Sequence, residues 1–377
     1  MATTTALPLP RTPAAPATGP TAPSPLRHLG PNWYATVMGT AILATAGAAL
    51  PYHSAVLRAA LVCVWALASF LLLVLLCARA AHWRRHRDQA RAHLLDPAVA
   101  PFYGCLAMAV LAVGGSTTAV GQDVIGPHAA LAVAAVLWTV GSVLAVLAAL
   151  VVPYLMVARH RIEGPGSASP VWLLPVVAPM VSAALGPQLI PHLPQGQART
   201  GLLLACYALF GLSLLATLLL LPLVFARLLV HGPLPLALTP TLFLVLGPLG
   251  QSTTAVNQLA DVAPGAVGAT YAHGFQALAV VYGVPVLGFA LLWLLLAAAL
   301  VVRAARAGMP FAMTWWGLTF PVGTCVTGAA GLARHTGLEA LGWLATGLFV
   351  LLVAAWAVTA ARTVRGLLSG ALLAAPR

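Results

Sequence analysis

Ten apolar runs of eighteen or more residues divide most of this chain, and their middles contain no Asp, Glu, Lys, Arg or His. They lie at 33–50, 55–78, 102–120, 129–157, 171–190, 201–230, 236–256, 271–302, 311–333 and 340–361. Each can cross a hydrocarbon layer of about 30 Å as a helix rising about 1.5 Å per residue. In lipid each must be helical, because only a helix satisfies its own backbone within one segment. Only 6% of the 377 residues are charged, against roughly 25% in a soluble domain. The expected fold is therefore an all-α integral membrane protein of ten transmembrane helices.

The charges that remain report topology. Net charge is +12 and all 18 basic residues are Arg. They sit in short loops without an interleaved aromatic platform, so nucleic acid is not expected as a partner. Fifteen Arg residues fall in the tail, in the loops after helices two, four, six and eight, and at the C-terminal end; Arg58, Arg199 and Arg334 fall on the other side. An excess of this kind marks the cytoplasmic face, which places both termini inside a plasma membrane crossed many times. Residues 1–30, rich in Pro, Thr and Ala, read as a disordered cytoplasmic tail. Residues 31–365 form the ten-helix domain and 366–377 a short cytoplasmic tail. The longest interior loop, around Ala81-His-Trp-Arg-Arg-His-Arg87, reads as a solvated juxtamembrane segment, and the loop at Arg84–Arg91 is expected to face the cytoplasm. The five cysteines lie in apolar runs without a CxxC pair, which points to core or lipid-facing roles, and no metal or cofactor is expected.

Proline marks an internal repeat. Pro31, Pro101, Pro170, Pro240 and Pro310 stand 70, 69, 70 and 70 residues apart, each at the start of an odd-numbered helix. Ser116-Thr-Thr-Ala-Val120 recurs as Ser252-Thr-Thr-Ala-Val256. Odd helices carry Gly, Ser, Thr and Pro in their middles, whereas even helices are mostly Leu, Ala and Val. Small residues permit close packing anywhere, but that does not explain their concentration in alternate helices. The arrangement expected is five helical hairpins, with odd helices around a central pore and even helices facing lipid.

A pore without acids in its walls suits neither cations nor a side-chain proton relay. Gly39, Thr40, Ser116, Thr117, Ser182, Ser252, Thr253, Thr324 and Thr327 would line it, with Pro179, Pro248 and Pro321 breaking helices in mid-course. A half-helix beyond such a break offers free amides and partial positive charge to an anion, opposed by the freed carbonyls. Gly317, Phe320, Thr324, Thr327 and Gly331 share one helical face, and Phe320 lies about 15 Å beyond Pro310 along a helix, near the midplane. Spacing alone makes packing the simpler role for this ring; a plug is the alternative.

Three stretches resemble the tellurite-resistance/dicarboxylate transporter family: Gly30-Pro-Asn-Trp-Tyr-Ala-Thr-Val-Met-Gly-Thr40, Pro240-Thr-Leu-Phe-Leu-Val-Leu-Gly-Pro248 and Trp315-Trp-Gly-Leu-Thr-Phe-Pro321. That family includes bacterial TehA, fungal malate permeases and sulfite efflux pumps, and the slow anion channels of plant guard cells. The resemblance implies quasi-fivefold symmetry, homotrimers with one pore per protomer, and a gating Phe before the proline of the ninth helix, here Phe320. It implies transport of a small anion, a C4-dicarboxylate such as malate, or sulfite, by a channel or uniporter. Proton-coupled transport of the same anions and a tellurite-resistance role are the alternatives. An intramembrane enzyme is disfavoured: no HExxH motif occurs and Ser116 has no base nearby in sequence.

Overall fold

The computed structural model describes residues 26–372, and the greater part of the expected N-terminal tail lies outside them. Among the described residues there are helices and no strand. In chain order they are α1 (Tyr34–Ala48), α2 (Ala55–Arg85), α3 (Arg87–Leu95), α4 (Tyr103–Ser116), α5 (Gln122–Ile125), α6 (Pro127–Ala158), α7 (Leu173–Leu185), α8 (Gln197–His231), α9 (Leu246–Val262), α10 (Ala269–Arg306), α11 (Phe320–Thr336) and α12 (Glu339–Leu368). Among the described residues, seven helical stretches are both long and apolar enough to cross a membrane: Ala55–Arg85, Ala100–Ile125, Pro127–Ala158, Pro170–His192, Gln197–His231, Ala269–Arg306 and Glu339–Leu368. The protein is an all-α, multi-pass membrane protein. The runs at 33–50, 236–256 and 311–333 instead give α-helices of 15, 17 and 17 residues, preceded by 3₁₀ turns.

Burial separates two kinds of helix. In the most apolar part of Ala100–Ile125 and Pro170–His192, 83% and 89% of residues are buried, against 22–28% in the other five long stretches. Helices α1, α9 and α11 are likewise buried along nearly their whole length. The five buried helices contact one another in a closed sequence: α1 on α4, α4 on α7, α7 on α9, α9 on α11, and α11 on α1. Each also packs on the long helix that follows it: α1 on α2, α4 on α6, α7 on α8, α9 on α10 and α11 on α12. The physical cause is side-chain size. Gly250 of α9 meets the α11 backbone at Thr324 and Cys325, and Gly104 of α4 meets the α7 backbone at Leu174 and Pro175. Leu-rich α2, α6, α8, α10 and α12 turn most of their surface outward, as helices solvated by lipid do.

The structure corrects the expected helix breaks. Pro321 does not kink a helix in mid-course; it occupies the first turn of α11, where its missing N–H costs nothing. The ninth run is a 3₁₀ segment, Met313–Leu318, followed by a sharp change at Thr319 (φ −102°, ψ −77°) and then α11. Pro248 is the third residue of α9, which follows a ten-residue 3₁₀ segment, Leu236–Val245. Pro179 does lie inside α7. Pro310 stands in the connection before Met313 and outside any helix.

A second correction concerns the segment expected to be a loop after the second run. It is helical through Arg85 and again from Arg87 to Leu95, and it is not fully solvated: His82 is completely buried. The reason lies in the chain before α1. The Arg79 guanidinium donates to the Leu29 carbonyl and, at 3.2 Å, to the Tyr103 hydroxyl; His82 Nδ1–H donates to the Leu26 carbonyl at 2.7 Å. Residues 26–29 are thereby tied down on α2, and Arg27 pairs with Asp88 at 2.8 Å. The His93 ring stacks on His82 with centroids 5.5 Å apart. Burial, with help from Arg79 and His82, pushes the His93 pKa down to about 4, so at neutral pH it adds no charge to the buried Arg79.

Candidate functional site

The five buried stretches surround a cavity of about 330 Å³. Its floor is set by the repeat. Counting eleven residues from Pro31, Pro101, Pro170 and Pro240 gives Ile42, Ala112, Val181 and Gln251, and all four line the cavity. In the fifth stretch the residue ten after Pro310 is Phe320, and it too lines the cavity. Positions equivalent in the repeat thus meet on one cavity. Phe320 is 2% exposed, so its ring is packed on nearly all sides. A second cavity of about 680 Å³ takes residues from the opposite ends of the same stretches: Asn32, Phe102, Trp172, Leu238 and Phe311. Phe320 belongs to the first cavity and not to the second.

Above the floor the wall becomes polar without becoming acidic. Gln122, Gln188, Gln251 and Gln258 line it with Thr45, Thr118, Thr254 and Thr327, and Arg58 and Arg334 complete it; no carboxylate is among the lining residues. Each Arg is held by an acid outside the lining. Arg58 pairs bidentately with Asp123, its Nη2 at 2.8 Å from Oδ1. Arg334 pairs with Asp261 at 3.2 Å, and His335 meets the same carboxylate at 3.1 Å. These side chains are between one-third and one-half exposed except His335, so each pair is worth about 0–1 kcal/mol. Their effect here is positional: they fix guanidinium groups beside the opening without neutralising acids intruding on it.

The hydroxyls behave differently from the amides. Thr118 Oγ1 donates to the Gly115 carbonyl or to Gln188 Oε1, which lies at 2.6 Å. Thr254 and Thr327 share a 2.7 Å hydrogen bond, with the Gly250 and Thr324 carbonyls as further acceptors at 3.0 Å. Each hydroxyl has one proton, and these have acceptors inside the protein.

Of the residues singled out by sequence, Phe320 and Thr327 stand on this cavity. Gly39 lies against Thr319 and Trp316, where any Cβ would collide with the Thr319 hydroxyl, so it lets α1 approach the break before Phe320. Thr40 accepts from Trp356 Nε1 at 3.0 Å and borders an apolar groove between α1, α2 and α12. Ser116 and Thr117 both donate to the Val113 carbonyl, and Thr117 also accepts from Trp65 of α2 at 2.9 Å. Ser182 is fully buried and its carbonyl accepts from Trp138 of α6. Ser252 and Thr253 donate to the Leu249 carbonyl, and Thr324 to the Pro321 carbonyl at 2.7 Å. Pro179, Pro248 and Pro321 act on backbone, as described above. The glutamines were not among the residues expected to line the pore, which were hydroxyl-bearing residues, glycine and proline; Gln251, inside the seventh apolar run, was the available signal.

Residues 28–364 match the sequence profile of the voltage-dependent anion channel family, SLAC1. The chain belongs to that family. The match spans all five buried helices and every residue lining the first cavity, so the residues described above are the family's membrane domain and not an appended module. Curated relatives extend over nearly whole chains. An uncharacterized transporter of Methanocaldococcus jannaschii, MJ0576, is 27% identical over 92% of this chain and 95% of its own. A sulfite efflux pump, SSU1, of Trichophyton rubrum is 26% identical over 90% of this chain and 91% of its own. The tellurite-resistance/dicarboxylate resemblance and the SLAC1 match describe the same group of transporters and channels. Membership of the anion channel family makes this a multi-span membrane protein of small-anion transport and not an enzyme.

Proposed function

We propose that this protein conducts small anions along the axis of its five buried helices and that Phe320 closes the path. The observation that carries this reading is the first cavity: all five buried stretches line it, Arg and Gln side chains make its wall, no carboxylate enters, and Phe320 stands at its floor. In this reading the ten helical stretches are five hairpins in quasi-fivefold order around the pore. Weakly attracting donors suit conduction, since an ion must leave as well as enter. The relationship to sulfite efflux pumps favours sulfite as a substrate, with C4-dicarboxylates such as malate as the second class. Ion flux in proteoliposomes tests the proposal. Sulfite, malate, nitrate and chloride are each supplied on one side, and Na⁺ and K⁺ serve as comparisons. Anion flux should exceed cation flux by about tenfold or more, the difference expected of a barrier higher by about 1.4 kcal/mol. A reversal potential that follows the cation gradient ends the idea.

The working protein in this proposal is a homotrimer with one pore per protomer, in the plasma membrane and with both termini cytoplasmic. The Arg distribution supports that orientation. Asp88 is a suitable reporter, being exposed and beside α2. On a cysteine-free background, Asp88→Cys should resist an impermeant thiol reagent in intact cells and react after permeabilisation. Labelling from outside reverses the orientation.

A further inference from the structure

Gln251 is an odd member of the cavity floor. Its repeat equivalents are Ile42, Ala112 and Val181, all apolar, and Phe320 lines the same cavity from the fifth stretch. Gln251 is 4% exposed, and its Oε1 is buried without a hydrogen-bond partner. The hydroxyls nearest to it along the wall do not help, since Thr254 and Thr327 bond each other and the Gly250 and Thr324 carbonyls. A buried carbonyl oxygen left unpaired is costly, and apolar side chains at three equivalent positions show that the floor can be built without one.

We propose that Gln251 is the residue that selects the permeant ion, and that the ion it selects is a small oxyanion carrying one proton, such as hydrogen sulfite or a singly protonated carboxylate. This rests on the pore reading above. A carboxamide presents an N–H pair and a carbonyl oxygen side by side. Chloride and nitrate answer only the N–H pair, because they have no proton to donate. A singly protonated oxyanion answers both: its O⁻ accepts from Nε2–H while its O–H donates to Oε1. The assignment of the two amide atoms can be exchanged without changing this, since both stay on one group. No proton changes owner, so the selection needs no titratable group in the membrane. A site built to pair both groups discriminates strongly against an ion that leaves one of them unpaired.

The test uses full-length protein in proteoliposomes at mildly acid pH, with hydrogen sulfite and nitrate as probes. Phe320→Ala serves as the background, so that gating does not limit flux. Adding Gln251→Met keeps side-chain volume and removes both hydrogen-bonding groups. Both anions lose the N–H pair, and hydrogen sulfite alone also loses the bond to Oε1, so the ratio of hydrogen sulfite to nitrate flux should fall about tenfold, the worth of one hydrogen bond. An unchanged ratio overturns the proposal. Thermal stabilisation by each anion gives a second readout that does not depend on flux. Hydrogen sulfite should raise the melting temperature of the protein with Gln251 more than nitrate does, and Gln251→Met should abolish the difference. If the Phe320→Ala background passes no anion at all, the gate reading fails, and the melting shifts alone decide for or against Gln251. Equal shifts with and without the carboxamide overturn it.

Discussion

Phe320→Ala is expected to raise anion flux by about tenfold or more while the protein still folds. The ring lines the cavity, 2% exposed, together with residues from all five buried stretches. Removing it takes away the largest apolar side chain of the lining, and a barrier lowered by about 1.4 kcal/mol is a tenfold change in rate. Gly39 bears on the same point. It lies against Thr319, immediately before Phe320, with no room for a Cβ, so α1 backs the break from which the ring projects. A ring that only packs gives the opposite result. Truncating a buried Phe costs about 3–5 kcal/mol where the site cannot collapse, and flux per folded molecule then stays level or falls. Flux and thermal stability measured on the same purified variant separate the two, and an unchanged flux per molecule removes the gate.

The layered character of the fold was legible because lipid imposes a simple rule. A helix facing hydrocarbon needs no polar or small residue, so Leu71-Leu-Leu-Val-Leu-Leu76 could be assigned outward, and α2 does turn most of its surface outward. A helix packed on all sides needs small residues where backbones meet, and Gly39, Gly104 and Gly250 occupy such contacts. The proline register was legible because the intervals are nearly equal, and the residues eleven after four of those prolines, Ile42, Ala112, Val181 and Gln251, line one cavity.

Helix breaks and hydroxyl roles were harder to read. Proline in the middle of an apolar run is compatible with a kink or with a new start. The backbone chose a new start at Pro321, because a 3₁₀ segment ends at Leu318 and Thr319 turns the chain. Hydroxyls in apolar runs suggest polar lining, yet a Ser or Thr in a helix can spend its proton on the carbonyl three or four residues earlier. Ser116, Thr117, Ser252, Thr253 and Thr324 all do so. An amide can do so too, as Asn257 does to the Thr253 carbonyl at 2.7 Å, but the glutamines of the cavity wall make no such bond, and charge patterning alone passes over them because they are neutral.

The narrowness of this floor depends on how closely α9 and α11 approach, and that leads to the second large effect. Gly250→Ala should cost the protein most of its folded yield. A Cβ on residue 250 would stand 2.5 Å from Thr324 Oγ1, 2.6 Å from the Cys325 nitrogen and 2.7 Å from the Thr324 carbonyl carbon. Two of those three atoms are backbone inside α11, which cannot rotate aside as a side-chain tip can. The helices must separate instead, and Thr324 Oγ1 then loses its 3.3 Å contact with the Leu246 carbonyl while Thr254 loses the 2.7 Å bond to Thr327. Overpacking typically costs about 1–3 kcal/mol, and the lost bonds add about 1 kcal/mol each. Gly104→Ala should fail in the same way, since its Cβ would meet the Leu174 carbonyl carbon at 2.5 Å and the Pro175 nitrogen at 2.7 Å. Gly247→Ala, in the first turn of the same α9, is the control: nothing lies within 4 Å of its Cβ, so its melting temperature should hold or rise slightly. Thermal unfolding of the three variants in detergent decides the matter. A Gly250→Ala protein as stable as Gly247→Ala would mean that α9 and α11 do not sit this close, and the floor built from Gln251 and Phe320 would then be too wide for one ring to close.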